Sequence, residues 1–172
     1  MGLDITAYSK LRRIGEHDLD PECNQGEPGP WCYYKGHIQA SAYDFPQSFR
    51  GIPLLTSPRP DAFALWGGCY ETTPETRMHA FRAGSYGGYN QWRANLQEQF
   101  NPERHPDGPF YELIWFADNE GTIGPEAAAD LLADFRILGA TYTPPWPEAS
   151  EVFADWGRAF ELAADGGLID FH

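Results

Sequence analysis

The stretch Phe81–Leu96, FRAGSYGGYNQWRANL, carries two periodicities that meet at a turn. Just upstream and into it, His79, Phe81 and Ala83 alternate with Met78, Ala80 and Arg82, the period of two that a strand requires. Downstream, Tyr89, Trp92, Leu96 and Phe100 recur at helical spacing and share one face. Between the two, Gly84, Gly87 and Gly88 free the backbone, and Ser85 stands where a helix favours an N-cap hydroxyl. A strand therefore passes directly into a helix.

The flanks extend this pattern. LDITAYS near the start places Leu3, Ile5 and Ala7 on one side and Asp4, Thr6 and Tyr8 on the other, a half-buried strand. GGCYETTPETRMHAFRAG reads as two strands around a Thr-Pro turn. FYELIWF, apolar on both faces, predicts a buried strand. A helix is expected after Gly124, with Pro125 in its first turn, Glu126 at the positive end of its dipole, and Ala128, Leu131, Leu132, Phe135 and Leu138 spaced along it. A further helix follows TPPWPE, carries Val152, Trp156, Phe160 and Ala163 on one face, and stops at ADGG. LIDFH reads as a short closing strand. Strands and helices mixed without regular β-α-β alternation predict the α+β class: a small mixed or antiparallel sheet with about three helices in a single domain over 1–172. The polar, Gly- and Pro-rich segment 15–30 reads as a mobile surface loop.

Composition narrows the function. Hydrophobic residues make up 42% of the 172, enough for one sizeable core. The formal charge of −13 repels a phosphate backbone, so nucleic acid is not an expected partner. No apolar run approaches a membrane span, so a soluble, cytoplasmic protein is expected. Three cysteines are too few and odd in number for a disulfide framework. His17, Cys23, Cys32 and His37 lack the tight pair spacing of zinc ligands, and no metal or other cofactor is expected.

MGLDITAYSKL, GSYGGYNQWRANL, ELIWFADNEGTIGP and FELAADGGLIDFH together resemble a group of small proteins encoded by phages, prophages and bacteria. The likeness covers the first dozen residues and most of the chain from Phe81 onward; between 15 and 60 it is carried by DFPQSFRGI alone. It implies a cytoplasmic accessory protein associated with mobile elements, and it brings no catalytic residue with it.

Candidate functional residues gather at three junctions. At the first, the helix start attracts anions through its unpaired N–H groups; Arg82 and Arg93 add charge, Ser85 caps or donates, and Tyr86 and Tyr89 can stack on a base. It is neither G-x-G-x-x-G nor a P-loop. The second, ADNEGTIGPE, holds Asp118 and Glu120 at i and i+2. It is not an EF-hand, because the sixth position is Ile123 and the twelfth Ala129. The third is the tail, where Asp170 and His172 share a face if extended. Convergence of the three predicts a cleft for a small polar, nucleotide-like ligand bound without turnover. Two other readings use the same residues or surface: a metal-assisted hydrolase or acid/base enzyme built on Asp118, Glu120 and His172, and an acidic inhibitor of a host protein.

Overall fold

The computed structural model describes residues 2–13, 38–40, 68–105, 107–116 and 121–171. Its centre is β1 (Gly2–Tyr8), which pairs antiparallel with β5 (Met78–Ser85) on one side and with β7 (Leu168–Phe171) on the other. A short strand, β6 (Gly121–Ile123), adds to β7, so the sheet runs β5-β1-β7-β6 and every pairing is antiparallel. The alternation in β1 holds on one side: Leu3, Ile5 and Ala7 are buried and Asp4 is exposed, but Thr6, expected on the open side, is buried as well and Tyr8 half-buried. A second, three-stranded sheet joins β2 (Arg12–Arg13), β3 (Ile38–Ala40) and β4 (Gly68–Glu71) in the order β2-β4-β3. The Thr-Pro turn thus separates two strands, as expected, but sends β4 and β5 into different sheets.

The helices α1 (Tyr86–Phe100), α2 (Tyr111–Trp115), α3 (Pro125–Leu138) and α4 (Ala149–Ala163) complete an α+β fold. The buried side chains of β1, β6 and β7 meet Tyr89, Trp92 and Leu96 of α1 and Trp156, Ala159, Phe160 and Ala163 of α4 in one core. Its middle is aromatic. Trp156 stacks on Trp92 at 5.8 Å and on Tyr89 at 5.7 Å between ring centroids. Full burial of each such side chain contributes on the order of 2–3 kcal/mol. The spacing that predicted these helix faces is what brings the rings together.

FYELIWF departs from expectation: its centre is the five-residue helix α2, not a strand. An apolar run that short has no periodicity of its own to choose between the two. A local turn and one tertiary contact choose instead. Asn101, itself buried, donates its side-chain amide to His105 O at 3.0 Å and accepts from His105 N–H at 2.7 Å. Phe110 then adopts a left-handed φ of 56°, with its N–H donating to Asp134 Oδ2 of α3 at 2.8 Å. The chain re-enters as a helix. The segment 15–30, the residues His17, Cys23, Cys32 and His37, and DFPQSFRGI all lie outside the described residues.

The end of α4 shows how tightly β1 and β7 are joined. Gly166 takes φ 66° and the Gly167 N–H donates to Ala163 O at 2.9 Å, closing the helix on a left-handed turn. Gly167 then passes so close to β1 that a Cβ there would lie 1.7 Å from Tyr8 O. The clash is with backbone, which has no rotamer to give. Gly167→Ala is expected to cost about 2 kcal/mol or more in denaturant unfolding, whereas Gly166→Ala, strained only in φ, costs about 1 kcal/mol. Equal or reversed costs would contradict this packing.

Candidate functional site

The first junction is built as its sequence predicts. Ser85, extended at φ −75° and ψ 160°, caps α1 by accepting from Gly88 N–H at 3.0 Å. The oxygen proposed as a ligand donor is therefore engaged in the cap. Tyr86 is 38% exposed. Tyr89 is fully buried, with its ring among Trp92, Trp156 and Phe171, so it belongs to the core and not to a ligand wall. Arg82 is exposed, and its guanidinium lies over Gly2, in the space that a side chain there would fill.

Arg93 is the least expected placement: it is only 8% exposed. Its Nη1 donates to Ile114 O at 3.0 Å and to Phe116 O, its Nη2 to Asn90 Oδ1, and its guanidinium carbon sits 4.9 Å from the centre of the Tyr89 ring. These carbonyls belong to the C-terminal end of α2, whose own helix leaves them without partners. Arg93 closes that end, helped by a cation–π contact, and so fixes where the chain enters the segment before β6.

Asp118, Glu120 and His172 lie outside the described residues, and their flanks lie close together. Phe116 packs on Phe171 at 4.4 Å, and Gly121 stands opposite Phe171 in the β6–β7 register. Asp170 is half-buried, opposite Thr6 and Thr122, on the sheet face away from the helices. There it helps to raise the Tyr8 phenol above its ordinary pKa, after the larger effect of burial. Arg82 shares that face, one strand beyond β1 and two residues along, about 12 Å away across the sheet. Of the expected cleft, the described part is thus divided. Tyr89 and Arg93 are interior, Ser85 and Tyr86 form the turn, and Arg82 and Asp170 face away from the helix layer.

A groove opens on the other side of the same turn, with a volume of about 470 Å³, within the span of small-molecule sites. Arg82, Ala83 and Gly84 of β5 and Gly88 and Gln91 of α1 form one wall. Trp146, Glu148, Glu151, Val152 and Asp155, from the approach to α4 and its first two turns, form the other. Asp155 also holds His79 of β5, Oδ1 to Nε2 at 3.0 Å, and the His79 ring stacks on Phe81 at 5.4 Å. The second wall is acidic. Glu148 and Glu151 also stand where a helix start favours carboxylates, so their charge serves α4 as well as the groove.

These groove acids were not singled out from the sequence. Their 148, 151, 155 spacing puts them on one helix face, but nothing local shows that the face lies beside β5. Among the described residues, no three His, Cys, Asp or Glu side chains gather closely enough to hold a metal ion, and no helix is long and apolar enough to cross a membrane.

Arg93→Leu is expected to cost about 2–3 kcal/mol, because it leaves buried carbonyls of α2 unpaired. Arg93→Lys recovers only part of this, since an ammonium lacks the planar fork that reaches two carbonyls and Asn90 together. Denaturant unfolding checks the order; a neutral Arg93→Leu would deny Arg93 this structural role. Searches of family models, curated proteins and solved structures find no match to this chain.

Proposed function

We propose that this chain is a binding protein that holds a small polar ligand, without turnover, in the groove between the β5–α1 turn and the start of α4. The observation that carries the reading is the groove itself: an open volume lined by Trp146, Glu148, Glu151 and Asp155 on one side and by Gly84 and Gly88 on the other. Gly84 and Gly88 let a ligand approach the main chain closely. Trp146 offers an aromatic face, and Gln91 a neutral hydrogen-bonding amide.

The charge of the wall bears on the ligand's chemistry. Glu148 and Glu151 outnumber Arg82, whose guanidinium is drawn over Gly2, while Asp155 is engaged by His79. In a chain of formal charge −13, that arrangement attracts an amine or guanidinium and repels a phosphate. A cation near Trp146 gains a further cation–π contribution. The groove thus suits a small polar ligand that is cationic better than a nucleotide. The lining offers carboxylates, an indole and an amide, groups suited to holding a cation in place.

Thermal unfolding tests this with spermidine, agmatine and arginine beside AMP and ATP at matched ionic strength. At least one cationic ligand at about a hundred times its Kd should raise Tm by about 5 °C. Glu148→Gln combined with Glu151→Gln should remove the shift, and mass spectrometry should recover the ligand unchanged. No response to any cation, a response that survives the double substitution, or conversion of the ligand would overturn the reading.

A further inference from the structure

The groove meets β5 at its end, residues 82–84, and its acidic wall reaches back along the strand through the Asp155 contact with His79. The hydrogen-bond pattern shows which backbone groups the outer edge of that strand presents. Beyond β1, Ser9 N–H donates to Arg77 O at 2.9 Å, while Lys10 N–H turns the other way, to Asp165 O at 2.8 Å. Antiparallel pairing alternates between residues that face their partner strand and residues that face away. With Ala7 opposite His79 and Ile5 opposite Phe81, the N–H and C=O groups of His79 and Phe81 point to β1. Those of Met78, Ala80 and Arg82 point outward. Among the described residues no strand pairs with this edge.

Met78 is 65% exposed, and Ala80 and Arg82 are exposed. Exposed strand edges are usually blunted by charge, proline or a bulge. Here the register shift between Leu3 and Asp4 leaves Ala83 as an extra residue, so the regular strip ends at Arg82. Arg82 is the strip's one charge.

From this juxtaposition we propose that the cationic group is carried by an extended peptide, which adds as a strand to Met78–Arg82 and points alternate basic side chains into the acidic groove. This rests on the groove reading and goes beyond it by naming the ligand class. An added strand alternates its side chains between faces. On the helix-layer face they meet Glu151 and Asp155. On the opposite face they lie beside Met78, Ala80 and Arg82, which suit apolar residues and disfavour bases. The recognised pattern is therefore basic and apolar residues in strict alternation. Charge complementarity favours this occupant over a second copy of the chain, whose β5 would bring another Arg82 to the same edge and nothing cationic to Glu148, Glu151 and Asp155 besides it.

The test uses fluorescently labelled acetyl-KVKVK-amide and its EVEVE counterpart, with anisotropy as the readout. The lysine peptide should bind at least about tenfold more tightly than the glutamate one. Ala80→Pro removes an outward N–H, a change that edge strands tolerate, and should weaken binding about tenfold or more. Circular dichroism checks that this variant folds. Two lysine peptides, N-methylated on one or the other alternate set of amides, test the same contact with the protein unaltered: one should lose binding and the other keep it.

Binding indifferent to Ala80→Pro and to both methylations, yet lost in Glu148→Gln with Glu151→Gln, would overturn strand addition and leave the groove reading intact. Indifference to all of these changes would overturn both. Failure of the lysine peptide to bind while spermidine or agmatine still does would overturn the peptide alone. A dimer in light scattering that Ala80→Pro dissolves would also overturn it, by showing a second copy on the edge.

Discussion

The larger sheet of this protein is organised by β1, a seven-residue strand with neighbours on both sides. It binds β5 through Gly2–Tyr8 and β7 through Ile5–Tyr8, segments that lie about 70 and 160 residues further along the chain. Neither pairing is local, so neither forms until the intervening chain has paid its closure entropy. The return comes from one face. Leu3, Ile5 and Ala7 lie under the Trp92–Trp156 stack, and a slip of one residue would turn all three away from it. Gly167 strengthens the same constraint, because its contact with the Tyr8 carbonyl leaves β7 no freedom to ride higher on β1.

With β1 and β7 inside, the two outer strands differ in kind. β6 has three residues, follows the α2 end that Arg93 closes, and offers little edge. β5 has eight and passes without a loop into α1. Because α4 starts beside that strand, its first-turn acids face the β5 edge as well as serving the helix dipole. The candidate site is thus a consequence of packing: Trp156 and Phe81 meet edge to face at 5.2 Å, His79 holds Asp155, and the groove is what lies between those contacts and the capped turn.

The sequence showed what depends on short-range periodicity. β1, β5, the faces of α1, α3 and α4, the Ser85 cap and the glycine stop after α4 follow from spacings of two and of three to four residues. It did not show α2, because an apolar run of that length fits either structure and the choice lies with Asn101 and Asp134. It marked Tyr89 and Arg93 as ligand groups because chemical type is visible and burial is not: Tyr89 had both an apolar spacing and a polar tip, and the spacing prevailed. The acids of α4 were visible as residues but not as a wall, since their relation to β5 spans about 70 residues of intervening chain.

Native-state hydrogen exchange of the free protein tests the central arrangement most directly, because it reads the direction of each β5 amide. The amides of His79 and Phe81, bonded to β1, should exchange only in the slow global opening. Those of Ala80 and Arg82 should exchange orders of magnitude faster, as solvent-facing groups of an open edge. Slow exchange at all four, or protection with the opposite alternation, would contradict the account.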